Sequence, residues 1–287
     1  MVNTPDTDRV IAIVVNPASG KGKAIKVGNW LSAQLGKRGI KHSLFTTDWP
    51  QHFADFTEVW VVGGDGTVNF FINRYKDIQI PLAVFKGGTG NDFAWKLYGN
   101  IELEEQLSLV LNAKARQVDA AVCNDQLYIN SLGIGFDGEV LKSMGTIRWM
   151  GGHFGYLWVV IRKIFSFREC RFHIRTAERA FGDKFLLVII NNSSRTGGGF
   201  MVAPLAVVND GKLDMVLCKT LSRIKRLRYL PVIEKGKHLQ LPFIVYDKIE
   251  GCSIQAEKEL FAQLDGELIR SKAFEVKVLA GRFWIKY

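Results

Sequence analysis

Cysteine is scarce in this chain of 287 residues: Cys123, Cys170, Cys218 and Cys252 stand far apart, with no CxxC or CxxxC spacing. That excludes a disulfide framework and a thiolate zinc site, and the four read as reduced thiols of a cytosolic protein. His42, His52, His153, His173 and His238 likewise lack metal-ligand spacing. No apolar run reaches 18 residues and the opening MVNTPDTDRV has no apolar core, so neither a membrane span nor a signal peptide is expected. Acidic residues are also in short supply. There are 28 against 38 Lys and Arg, a net charge of +10, which points to nucleic acid, an anionic membrane face or an acidic substrate. No RRM, zinc-finger or helix-turn-helix signature accompanies the charge, so nucleic acid is not an expected partner. A P-loop is missing too, because GKGKA at 20–24 lacks the GxxxxGK[ST] spacing.

What is present is glycine at the ends of apolar runs. VVGGDGTVN at 61–69 reads as a strand, a tight turn and the start of a helix. Gly63, Gly64 and Gly66 allow positive φ and close backbone approach, and the helix N-terminus adds partial positive charge, so a polyphosphate could be cradled there. Two turns of the same kind flank it: VIAIVVNPASGKGKA at 10–24 and PLAVFKGGTGNDFAW at 81–95. In an open α/β sheet such turns converge on one crevice at the carboxyl ends of the strands. The string GIGFDG at 133–138 also fits G-x-G-x-x-G, but no acidic residue follows at the required distance, so a dinucleotide site is rejected.

The order NPxSG at 16–20, GGDGTxN at 63–69 and GGTGNDFA at 87–94 resembles the catalytic domain of the diacylglycerol kinase family, which includes sphingosine and ceramide kinases and bacterial soluble lipid kinases. The resemblance continues through NSLGIGFDGEV at 130–140, GGGFMVAPLAVVNDGKLDMV at 197–216, KGKHL at 235–239 and QLDGEL at 263–268. It implies an ATP-dependent lipid kinase, acting on diacylglycerol or a related lipid in a cleft between two domains. Nucleotide contacts then fall on Asn16, Pro17, Ala18, Ser19, Gly20, Thr46, Gly63, Gly64, Asp65, Gly66, Thr67, Val68, Asn69 and Thr89. Asp65 would act on the phosphates through Mg²⁺. Asp265 and Glu267 of the Asp-Gly-Glu motif would accept the hydroxyl proton. A structural Mg²⁺ is implied at Asp210, with the carbonyls of Val207 and Lys212. Read from the residues alone, Asp265-Gly266 and Asp210-Gly211 are equally good hairpin turns, and Asn91 and Asp92 equally good helix caps.

The texture divides the chain in two. Residues 1–122 alternate apolar runs (Val10 to Val15, Ser43 to Phe45, Val59 to Val62, Leu82 to Phe85) with helical segments such as Ile25 to Leu35 and Glu104 to Leu111. That is the pattern of an α/β nucleotide-binding domain, a parallel sheet with helices on both faces. Residues 123–287 turn β-rich, an antiparallel β-sandwich for the lipid substrate with helical insertions at roughly 139–166 and 220–236. In the second insertion Leu221, Ile224, Leu227 and Leu230 recur every third residue among Arg223, Lys225, Arg226 and Arg228, a basic amphipathic helix stopped by Pro231. Its leucine stripe either packs on its own domain or, with 155–168, meets an anionic membrane. The expected setting is cytoplasmic, with peripheral contact at the inner membrane face and a homodimer both left open. The alternatives are an NAD kinase-like or other non-lipid small-molecule kinase, or a non-catalytic nucleotide-binding protein. Two departures from the family pattern stand at Lys86, a cation beside the phosphate turns, and Trp95, where an arginine is usual.

Overall fold

The computed structural model describes residues 9–144 and 153–287. The reading of the N-terminal octet and of 145–152 within the first insertion lies outside the described residues. Two compact units emerge: Met1–Val118 together with Arg282–Tyr287, and Asp119–Gly281. The expected boundary after 122 thus moves by four residues, and the last six residues rejoin the first unit.

In the first unit, β1 (Val10–Val15), β2 (Lys41–Phe45), β3 (Glu58–Gly63) and β4 (Leu82–Lys86) pair in parallel in the order β4-β3-β1-β2. Ile11 through Val15 are wholly buried whichever way they point, so both faces of the sheet are covered, the usual condition of parallel strands. Helices α1 (Lys23–Lys37), α2 (Asp65–Arg74), α3 (Asp92–Tyr98) and α4 (Leu103–Asn112) fill the connections. The chain's end returns to this sheet, where Ile285 pairs in parallel with Leu82 and the Tyr98 hydroxyl donates to the Lys286 carbonyl. Glu58 is buried and gathers Arg9, Lys286 and the Trp60 indole N–H around one carboxylate.

The second unit is built from β5 (Ala115–Cys123), which enters it from the first, β6 (Gln126–Tyr128), β7 (Ser131–Gly135), β8 (Cys170–Thr176) and β9 (Ala180–Asn191). It continues with β10 (Leu213–Lys219), β11 (Ile244–Ile249), β12 (Gly251–Leu264) and β13 (Glu267–Lys286). β7 and β8 lie end to end between β9 and β12, all antiparallel. Alternation sorts the side chains. Leu213, Met215 and Leu217 join one core with Phe172, Phe185, Ile254 and Phe274, while Val216 and Cys218 point the other way. That second face is covered by α5 (Phe136–Met144), α6 (His153–Ser166) and α7 (Arg223–Glu234). α7 does not stop at Pro231 as expected. The ring sits inside the helix, which runs on to Glu234, since proline forfeits one amide bond while the flanking turns keep theirs. The GIGFDG string does pass from strand β7 into helix α5, yet β7 has antiparallel neighbours, and a Cβ at Gly138 would strike the Phe261 carbonyl. Its glycine there serves close packing of α5 on β12. All four cysteines are free and buried, and burial pushes the thiols of Cys123, Cys218 and Cys252 up to about 12.

Candidate active site

The three glycine turns meet backbone to backbone. A Cβ added at Gly64 would lie 3.0 Å from the Gly88 Cα, and one at Gly20 would run into the Gly87 carbonyl. Side chains then lash the turns together: the Gly64 N–H donates to Ser19 Oγ at 3.1 Å and Asn16 Nδ2 to Thr67 Oγ1 at 3.1 Å. The Ala18 N–H is turned back onto Asn16 Oδ1. Glycine is needed here for space more than for conformation. Gly63, Gly64 and Gly66 do not use the positive φ that glycine allows; Gly64 is extended, and a Cβ at Gly63 would overlap the Thr67 side chain. Left-handed backbone is concentrated instead in the first turn, at Gly20, Lys21 and Gly22, which turns the chain through a single 3-10 step into α1.

Asp65 has a task that its place in the motif did not reveal. Its two oxygens accept the N–H groups of Asp92 and Phe93 at 3.1 and 3.0 Å, closing the N-terminus of α3. The cap therefore comes from the second turn and not from Asn91 or Asp92. Asn91, in left-handed backbone, folds its amide back onto both the N–H and the carbonyl of Gly88. Lys86 is likewise directed away, its ammonium donating to the Gly99 carbonyl at the far end of α3. Val68 and Asn69 are buried along α2, whereas Thr89 is exposed on the third turn.

Beside these turns lies a groove of about 680 Å³, lined in part by Asn16, Pro17, Thr46 and Thr67. Sequence reasoning missed Trp49, Phe70 and Arg74 on its walls. Trp49 donates its indole N–H to the Val15 carbonyl and meets Phe70 edge to face at 5.7 Å, leaving Phe70 54% exposed. The signal in the sequence was that Phe70 falls off the helical stripe of Val68, Phe71 and Ile72 that α2 buries.

In the second unit the Asp-Gly-Glu motif forms the two-residue turn between β12 and β13. Asp265 and Gly266 both take positive φ, at 49° and 88°, as the type I′ hairpin reading requires. Asp265 is also buried, and its carboxylate accepts three successive backbone N–H groups, from Ile129, Asn130 and Ser131, at 2.8 to 2.9 Å. Around it Gln263 holds Ser131 Oγ and the Gly266 N–H, Ser131 meets Thr196, and Asn192 reaches the carbonyls of Ile129 and Asp119. Glu267, next along the chain, is exposed at the start of β13.

Asp210 and Gly211 make a turn into β10 with no strand before it, so the hairpin reading fails there. Val207 and Lys212 flank the same turn. The Asp210 carboxylate accepts the Lys212 N–H and is paired with the Lys248 ammonium, which also lies 3.8 Å from Asp214. Among the described residues no cluster of three or more His, Cys, Asp or Glu has the arrangement of a metal site.

Two family profiles cover this architecture: the diacylglycerol kinase catalytic domain over residues 10–123 and the YegS C-terminal NAD kinase beta sandwich-like domain over 130–285. A diacylglycerol kinase of Mycobacterium tuberculosis is 26% identical over 288 residues, covering 90% of this chain and 91% of that protein. Another from Bacillus subtilis is 27% identical over 89% of this chain and 88% of its own. A crystal structure titled as a diacylglycerol kinase from Bacillus anthracis superposes with a TM-score of 0.72 at 23% identity, covering 99% of this chain and 98% of its own, which fixes the shared fold. With motifs, fold and both profiles in agreement, the chain belongs to the diacylglycerol kinase catalytic-domain family of lipid kinases.

Proposed function

We propose that the chain transfers the γ-phosphoryl group of ATP to the hydroxyl of a lipid, diacylglycerol or a related amphiphile, with Glu267 as general base. The observation that supports it most is the meeting of three glycine turns beside one groove. Their glycines leave no side chain over the backbone, so a polyphosphate can approach it closely. In this reading Gly20, Gly63, Gly64, Gly66 and Thr89 border the phosphates. Ala18, Ser19 and Asn16 hold the first turn in place, and Thr46, Trp49 and Phe70 wall the base and ribose. Phosphoryl transfer passes through a loose transition state, so catalysis rests mainly on holding acceptor oxygen and phosphorus in line. Mg²⁺ carried by the nucleotide would offset charge on the phosphoryl oxygens. Asp65 could serve that ion only while both its oxygens still accept the N–H groups that open α3.

The two carboxylates of the Asp-Gly-Glu turn have different work. Asp265 is saturated with backbone donors and acts as a positioning residue that fixes the turn, whereas exposed Glu267 is free to approach an acceptor hydroxyl. The implied structural Mg²⁺ at Asp210, Val207 and Lys212 fits poorly, because Lys248 already supplies the Asp210 carboxylate with positive charge from the chain itself. The test is transfer of labelled phosphate from ATP to lipids in mixed micelles. Glu267→Gln is expected to lower turnover by about 10²- to 10⁴-fold with an unchanged melting temperature. Asp265→Asn places an amide NH₂ against backbone donors, so it lowers turnover and melting temperature together. A Glu267→Gln enzyme of full activity would overturn the assignment.

A further inference from the structure

One carboxylate stands in a groove whose ligand is read as a polyanion. Among the described residues on the groove walls, Asp48 is the single acidic side chain. It is exposed, and no cation among the described residues pairs with it. Its one contact is the Thr47 hydroxyl, which donates to it at 3.5 Å, beyond the reach of a strong hydrogen bond. The residues that follow are fastened. Trp49 donates its indole N–H to the Val15 carbonyl at the end of β1, and the Pro50 carbonyl accepts the Tyr75 hydroxyl at 2.6 Å. The segment after β2 is thus pinned to both β1 and the end of α2, while the Asp48 carboxylate does nothing for the fold.

Topology says which part of a nucleotide that carboxylate meets. β3, β1 and β2 are consecutive parallel neighbours, so their carboxyl ends form a row. Each step along the row is about 4.8 Å. The turns after β3 and β1 hold the glycines, and Asn16 is bonded to Thr67 across them. Asp48 lies one strand further on, three residues past the end of β2. Phosphates lying over the two glycine turns therefore place the sugar beside the end of β2. In open parallel sheets that bind nucleotides, an acidic residue in this position accepts a hydrogen bond from the ribose 2′-hydroxyl. The sugar is also the neutral, hydroxyl-bearing part of the ligand, where a carboxylate is an asset. Phe70, 54% exposed and edge-on to Trp49, offers an apolar surface to the base beyond it.

We propose that Asp48 selects the nucleotide substrate: its carboxylate accepts the ribose 2′-hydroxyl of ATP, and the groove discriminates against 2′-deoxyribonucleotides. The inference rests on the nucleotide part of the kinase reading and adds the residue that reads the sugar. The test is calorimetric titration of the full chain with Mg-ATP and Mg-2′-dATP, without lipid, for wild type, Asp48→Ala and Phe70→Ala. Wild type is expected to bind ATP roughly tenfold to a hundredfold more tightly than dATP, the effect of a hydrogen bond to a charged group. Asp48→Ala, with an unchanged melting temperature, should bring the two affinities within about twofold of each other by losing that bond. Phe70→Ala should weaken both nucleotides and preserve their ratio.

A carboxylate that never touches the sugar would act on the triphosphate by repulsion alone, so its removal would tighten ATP and dATP equally. That result overturns the assignment and leaves the kinase reading intact, as does a wild type indifferent to the 2′-hydroxyl. Binding of neither nucleotide would overturn both. The expected preference for ATP, lost in Asp48→Ala, without labelled lipid from any acceptor would leave the role of Asp48 standing and sink the lipid-kinase reading alone.

Discussion

At the scale of single residues, carboxylates carry the most information, and their neighbours divide them by task. Asp265 and Glu267 are two positions apart, yet one is spent on three amides and the other is exposed. Glu58 is a third kind. Burial pushes its carboxyl up, but hydrogen bonding and charge from Arg9, with further pull from Lys286 and Trp60, outweigh that, and the net shift is downward. A carboxylate held below its ordinary value contributes stability that is complete above the unfolded-state pKa, near 4.3, and is lost as pH falls through the lower folded value. Wild type should therefore lose more melting temperature between pH 5 and pH 3 than Glu58→Gln, measured by circular dichroism. At pH 7 the same substitution should cost about 3 to 5 kcal/mol, because Arg9 and Lys286 would be left buried without their partner. Parallel acid profiles for the two proteins would contradict this account.

At the scale of elements, the sequence made the parallel strands legible almost to the residue, since continuous burial on both faces writes an unbroken apolar run such as Val10 to Val15. The convergence of the glycine turns was legible for the same reason that it forms: only glycine fits where Gly64 abuts Gly88. Features that depend on a partner distant in sequence were not. The cap of α3 is supplied 27 positions earlier by Asp65, and nothing in GGTGNDFA excludes Asn91 from that role. The facing of α7 stayed open for a related reason: periodicity shows a leucine stripe but not which way it turns, and only the carbonyls of α6 make burial of Arg226 favourable. The polar cluster around Asp265 was equally hidden, because Ser131, Asn192, Thr196 and Gln263 are scattered over four strands and loops. Asp65→Ala should accordingly destabilise the protein by about 1 to 2 kcal/mol in urea unfolding, the cost of an emptied cap. A variant of unchanged stability that merely bound ATP less well would show the cap to be idle.

At the scale of the whole molecule, the chain crosses from one unit to the other twice, within β5 and within β13. Asp119, the first residue of the second unit, accepts the N–H of Gly281, its last, and of Gly211, both at 2.7 Å. One buried carboxylate thus ties the two crossing strands at their common end. The final six residues carry Phe283 and Ile285 into the core of the first unit and bring Lys286 to Glu58. Truncation after Gly281 should therefore expose residues 9–118 to limited proteolysis while 119–281 resists. Equal resistance of both units in the shortened chain would show those contacts to be dispensable.

The buried cysteines have a practical consequence. With three thiols held near 12 and the fourth, Cys170, also raised and fully enclosed, little thiolate is available to a maleimide at neutral pH. A cysteine introduced at Ile224 or Trp158 would then be the reactive one in an otherwise unaltered chain. An environment-sensitive dye placed there would report, from a single known position, any change in the surroundings of that helix.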